Sequence, residues 1–227
     1  YLGRMGWSMP DEREKFSLAE MLEAFDLQRV SLGGPVFDVQ KLKWLNSLWI
    51  REDLDDQQLI AKLNEWAFNE QTLAAFLPHA RKRIELLSDV APLGMFLVSG
   101  DLAIDKETLL AQGIEEEQLL EVLQYAVWRL ESLQDWQRDA IFTELKFVAD
   151  GLGIKLKNFM APLFVAVCGS ASSVSVADAL ALLGPDMGRA RLRFALLLLG
   201  VVGKKKLKKM EKAYRGHEAA VDAALEA

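Results

Sequence analysis

The chain has 227 residues, 51% of them hydrophobic, a single cysteine, two histidines and a formal net charge of −6. Such a length buries a real core and suits one large or two small domains of a soluble globular protein. One thiol excludes an intrachain disulfide framework and fits a reducing cytoplasm, two histidines without a cysteine cluster exclude a structural zinc, and the longest apolar run, "FALLLLGVV" at residues 194–202, falls well short of the roughly 20 residues that a membrane helix needs.

Helical periodicity dominates from the start. "SLAEMLEAFD" opens with Ser17 and Glu20 at capping-box spacing and sets Leu18, Met21, Leu22 and Phe25 on one face. The next helix is expected to take Asp38 as N-cap and to carry Val39, Leu42, Leu45 and Ile50 near one stripe. Between the two, "SLGGPVFD" cannot be helical, because Gly33 and Gly34 permit positive φ and Pro35 pushes Gly34 toward an extended conformation. Amphipathic helices are then predicted over residues 55–69, 71–92, 105–112, 115–132 and 135–152, with stops at Pro92, Gly100, Gly113 and Gly151. Asp105, the acids at 115–117 and Asp135 fall in first turns, where the helix dipole favours negative charge. A mostly buried segment at 155–169 leads through the serine-rich "SASSVS" to a short helix, "VADALALLG", and a longer one, "PDMGRARLRFALLLLG". No segment alternates as a strand. The fold class is therefore all-α, in two helical bundles with a soft boundary at residues 98–105, and a lysine-rich tail follows.

The common catalytic signatures are absent: there is no GxxxxGK[ST] phosphate loop, GxGxxG, HExxH or GxSxG. Paired acids such as Asp55 and Asp56 sit at helix starts, where capping accounts for them. Cys168 reads as a small buried thiol. No catalytic residue and no metal ligand is assigned. Charge, by contrast, is unevenly placed. Residues 1–150 carry 15 Lys and Arg against 27 Asp and Glu, a balance of −12, while residues 151–227 carry 12 against 6, a balance of +6. A basic end is the footprint of a protein that meets a polyanion, although a solvated basic face gives the same count.

Three patterns follow one another in the first 51 residues: "GWS" at 6–8, "RVSLGGPVFD" at 29–38 and "KLKWLNSLWIR" at 41–51. In this order they resemble bacterial glutamyl-tRNA synthetase just after that class I enzyme's catalytic core, and the similarity continues more weakly to the helix after Gly184. The resemblance implies the tRNA-binding half of such an enzyme, with a stem-contact region at 1–50, anticodon-binding subdomains at 51–104 and 105–203, and a basic tail at 204–227 as an extension. The chain opens at Tyr1 with no secretory signal pattern and reads as a cut inside a longer protein. The family's HIGH-type and KMSKS-type signatures are missing, so ATP and Mg²⁺ are cofactors of the full-length parent and this chain holds none. The implied partner is the tRNA for glutamate, with no DNA and no membrane, and a cytoplasmic monomer is the default.

The resemblance also implies site residues. Lys41, Lys43 and Arg51 would meet the phosphate backbone at the inside corner of the tRNA, contacts that give position rather than sequence; read alone, Trp44 and Trp49 are core and the cations around them a solvated face. Arg83 aligns with the arginine that reads the third anticodon base in enzymes restricted to glutamate codons, with Arg81 and Lys82 beside it. Without the resemblance these three are a solvated helix face. The family's second anticodon patch, a stretch like RxALTG, here reads "FVAVCGSASSVSVADALALLG". Phe164 stands where some relatives carry a base-contacting Arg, Cys168 replaces Thr, and Ser173 and Val174 replace Thr-Pro. Ser172, Ser173 and Val176 would line that loop, and Phe164 would stack on a base or pack in the core. The lysine tail, with Arg189, Arg191 and Arg193, would add attraction to phosphates or remain solvated. A different class of reading is a helical module that keeps this fold and binds a protein partner or serves as a scaffold.

Overall fold

The computed structural model describes residues 1–67, 69–170, 173–200 and 202–225, the last eight by backbone alone. Among them are eleven α-helices and no strand. They divide into two compact units, residues 1–68 and 69–227.

In the first unit, α1 (Leu18–Ala24) starts on a complete capping box: Glu20 N donates to Ser17 Oγ, and Ser17 N donates to the Glu20 carboxylate. Helix α2 (Val39–Leu48) is capped by Asp38, whose carboxylate accepts from Gln40 N and Lys41 N. It runs into a π-helical turn, Trp49–Asp53, before α3 (Asp56–Trp66), which is capped reciprocally by Asp55 and Gln58. Trp7 is buried beside Met9, with the rings of Phe16 and Phe25 at 6.0 and 5.9 Å. The segment between α1 and α2 is held at its ends, where Ser31 N donates to Gly6 O at 2.7 Å and Asp38 N donates to the Tyr1 hydroxyl at 2.7 Å. Neither Gly33 nor Gly34 takes a positive φ, so the shape of this joint comes from those anchors and from Pro35, and not from left-handed glycine. The apolar stripes of α1 and α2 form as expected, yet Leu18, Leu22 and Val39 stay exposed and only Leu45 is buried.

The second unit holds the main core. Its helices are α4 (Glu70–Ala80), α5 (Val90–Val98), α6 (Lys106–Leu110), α7 (Glu116–Ser132), α8 (Arg138–Gly151), α9 (Leu156–Cys168), α10 (Val176–Leu198) and α11 (Lys204–Leu225). Helix α7 is buried along Leu119, Val122, Leu123, Ala126 and Leu130, and packs with α9 and α10 around Phe159, Leu163, Leu180 and Leu192. Helix α10 breaks at Gly184 (φ 76°, ψ 169°), and Pro185 starts its second half.

The helix predicted over 71–92 is two helices. Pro78 lacks the amide that would bond to Ala74 O, and after Ala80 the chain tightens into a 3₁₀ turn, Arg81–Arg83, then extends at Ile84 (φ −104°, ψ 131°). Pro92 is no stop; it lies in the first turn of α5, where its missing amide has no partner to lose. Helix α8 begins at Arg138 and leaves Asp135 outside, because Trp136 is tied back by its indole N–H to Leu180 O at 2.8 Å. The packing also runs through residues 98–105, since Ser173 Oγ donates to Leu93 O and the Arg191 guanidinium reaches Phe96 O and Ser99 O.

Candidate nucleic-acid interface

Arg81, Lys82 and Arg83 form the 3₁₀ turn that closes α4, and all three are exposed. Among the described residues none of them makes an ion pair or a side-chain hydrogen bond. Their turn is nevertheless held by its neighbours. Downstream, the Asp89 carboxylate accepts from Leu86 N and Glu85 N, each at 2.8 Å. These bonds to Leu86 and Glu85 hold its carboxyl below the usual range. Upstream, His79 Nδ1 in the last turn of α4 lies 3.4 Å from Asp178 Oδ1 in the first turn of α10. Leu86 and Leu87, 67% and 90% exposed, follow the cations in the chain as bare apolar surface. Guanidinium planes can stack on an unstacked base and pair with a phosphate, so two exposed arginines and a lysine on one turn offer both kinds of contact. The sequence pattern did not reveal the exposure of the two leucines, because "RIELL" reads equally as a buried helix face.

The residues of the second patch are placed differently. Ser173 is 1% exposed and its hydroxyl is occupied by Leu93 O at 2.9 Å; Val176 is buried at the start of α10. Phe164 is partly buried on α9 and packs against the core. Ser172 lies outside the described residues. Cys168 is buried as expected, and burial pushes its thiol up to about 11.

In the first unit, Lys41 is ion-paired with Glu14, which Arg4 also contacts. Glu14 is held below the usual carboxylate range chiefly by the Lys41 hydrogen bond. Lys43 is exposed. Arg51 donates back to Ser47 O and Ser47 Oγ at 3.2 and 3.0 Å, which fixes its fork on the π turn. Trp44 and Trp49 are not core: they are 43% and 38% exposed, with Lys41 Nζ 4.9 Å from the Trp44 ring and Lys15 Nζ 5.1 Å from the Trp49 ring. The core reading failed because Leu45 is the residue that α2 buries, and the two indoles meet lysine ammonium groups at the surface instead.

The three arginines of α10 are occupied within the protein. Arg189 donates to Leu130 O and Leu133 O over the Trp136 ring, and Arg193 pairs with Glu131 at 2.7 Å. Arg191 is buried. The phosphate role expected of Arg191 is therefore excluded by its position. No cluster of three or more His, Cys, Asp or Glu among the described residues is arranged to hold a metal ion, and none of their helices is long and apolar enough to cross a membrane.

Residues 58–196, which hold this exposed cationic turn within an all-α unit, match the family described as the anticodon binding domain, to which this chain belongs. Among proteins it resembles, the glutamate–tRNA ligase of Saccharophagus degradans is 56% identical over 214 residues, 94% of this chain and 42% of that protein. That of Cellvibrio japonicus is 53% identical over 227 residues, 98% of this chain and 45% of that protein. The chain thus spans less than half the length of these relatives. A crystal structure of a glutamate tRNA ligase from Elizabethkingia meningosepticum in complex with its amino acid shares the fold, with a TM-score of 0.52 at 20% identity, covering 86% of this chain and 39% of that one.

Proposed function

We propose that this chain is the C-terminal tRNA-binding half of a glutamate–tRNA ligase and recognises the tRNA for glutamate, its anticodon included, as a cytoplasmic monomer. The observation that carries the reading is the Arg81–Arg83 turn: three adjacent exposed cations, paired with no acid among the described residues of a chain of net charge −6, on a backbone that Asp89 fixes. Arg83 reads the third anticodon base with its planar fork, Arg81 and Lys82 meet adjacent phosphates, and Leu86 and Leu87 offer apolar contact to a splayed base. Phe164 and the buried Ser173 and Val176 support the neighbouring segment from within. In the first unit Lys43 and Arg51 contact the tRNA backbone, joined by Lys41 when phosphate replaces Glu14. Ligation, with its ATP and Mg²⁺, belongs to the longer protein.

The test is a fluorescence anisotropy titration with the glutamate tRNA and with the same tRNA altered at the third anticodon base. The unaltered tRNA is expected to bind more tightly, and Arg83→Ala to remove the difference, about 1 to 3 kcal/mol. Equal binding of both by the native chain overturns the anticodon reading. No RNA binding at all brings forward the scaffold alternative.

A further inference from the structure

Over Lys204–His217, helix α11 packs on the second unit through the side that carries Met210 and Tyr214. Met210 and Tyr214 are buried, Tyr125 Oη donates to Met210 O at 3.1 Å, and the rings of Tyr125 and Trp128 lie 5.2 and 5.5 Å from that of Tyr214. At 100° per residue, the side opposite these anchors collects Lys204, Lys205, Lys208, Lys209 and Lys212, all exposed. Lys206, nearer the packed side, pairs with Glu117 at 3.0 Å, and Lys209 acts on that same carboxylate from farther away. Lys204, Lys205, Lys208 and Lys212 make no ion pair among the described residues.

This stripe works against its own helix. Lys204 and Lys208, Lys205 and Lys209, and Lys208 and Lys212 are like charges four residues apart, which repel, and the first turn of α11 places lysines at the positive end of the helix dipole. The docked aromatic side keeps the helix formed in spite of this. Four cations without an ion pair among the described residues, in rows along some 12 Å of helix, define a surface for a linear polyanion. The geometry points to α11 as a second, sequence-independent contact surface for the RNA phosphate backbone, apart from the Arg81–Arg83 turn. The inference rests on the proposed tRNA partner. RNA is favoured over an anionic bilayer because an interfacial membrane helix inserts an apolar side, and the apolar side of α11 is already buried against Tyr125 and Trp128.

Each phosphate neutralised contributes about 0.7 to 0.9 to the slope of log K against log salt. The full chain and its variant K204Q/K205Q/K208Q/K212Q are titrated with the labelled glutamate tRNA and with the transcript altered at the third anticodon base, across a salt series. The variant is expected to lose about 3 from the slope for both RNAs, to leave the ratio of their affinities unchanged, and to keep its helical circular dichroism. Arginine at the same four positions is expected to retain the slope, which separates charge from fold. An unchanged slope in the glutamine variant overturns the inference. So does a variant that keeps its RNA slope and loses binding to phosphatidylserine vesicles, which would assign the surface to membrane. If the native chain shows no preference between the two RNAs while the slope still falls by that amount, the anticodon reading fails and the α11 surface stands.

Discussion

Arg191 is 3% exposed, and its guanidinium donates to Val167 O, Phe96 O and Ser99 O at 2.6, 2.5 and 2.6 Å. Those carbonyls belong to the ends of α9 and α5, where the last turns leave acceptors unsatisfied and the dipole is negative. One buried side chain thus closes two helices, and Nε is left without an acceptor among the described residues. Arg191→Met fills the volume and strands three carbonyls, so a loss of about 2 to 4 kcal/mol is expected in urea unfolding, less than three full penalties because the buried charge disappears too. Arg191→Lys should recover little, since one ammonium cannot span three separated acceptors. A variant as stable as the native chain would show that the carbonyls find water. The sequence did hold the signal for this role: Arg191 falls in line with Gly188, Leu192 and Ala195, all buried, at i−3, i+1 and i+4, whereas Arg189 and Arg193 point to the other side. What it could not supply was the partners, which lie more than 90 residues away in Phe96 and Ser99.

Among the elements, local chemistry was the most legible. The Ser17–Glu20 box and the caps at Asp38 and Asp55 are all made by side chains within three residues of the amides that donate to them, and each helix starts where that pattern places it. The break at Arg81 was illegible because it depends on Pro78 weakening α4 while Asp89, from beyond the turn, captures two amides. Asp89 therefore positions the candidate site without touching its cations. In Asp89→Ala the amides of Glu85 and Leu86 should exchange faster at neutral pH, those of α7 should stay unchanged, and preference between the two anticodons should weaken together with the turn. Asp89→Asn keeps an acceptor and should keep most of the order. Because folding lowers the Asp89 carboxyl, its contribution is complete above the ordinary value of about 4 and fades as pH falls through the lower folded value. Backbone amide shifts of Glu85 and Leu86 followed from pH 7 downward would check that sign; a turn that loosened as pH rose would contradict it.

For the whole chain, the two units differ in how much they bury. Among the described residues of the first unit the buried hydrophobic ones are Trp7, Met9, Leu45 and Ala67, while the second unit builds a continuous core from Phe76 to Tyr214. Hydrophobic stabilisation scales with apolar area removed from water, and a unit of this size with so few buried side chains stands near the margin. The units also carry different reporters, since Trp7, Trp44, Trp49 and Trp66 lie in the first and only Trp128 and Trp136 in the second. Urea unfolding should therefore separate by probe: tryptophan fluorescence changes first as residues 1–68 open, and far-ultraviolet circular dichroism, dominated by α4 to α11, follows at higher denaturant. Hydrogen exchange should rank the amides the same way, with α7, α9 and α10 slowest and α1 to α3 fastest. Coincident transitions by both probes would mean that the first unit draws its stability from the second, and the thin core around Trp7 would then have to be counted as part of one cooperative fold.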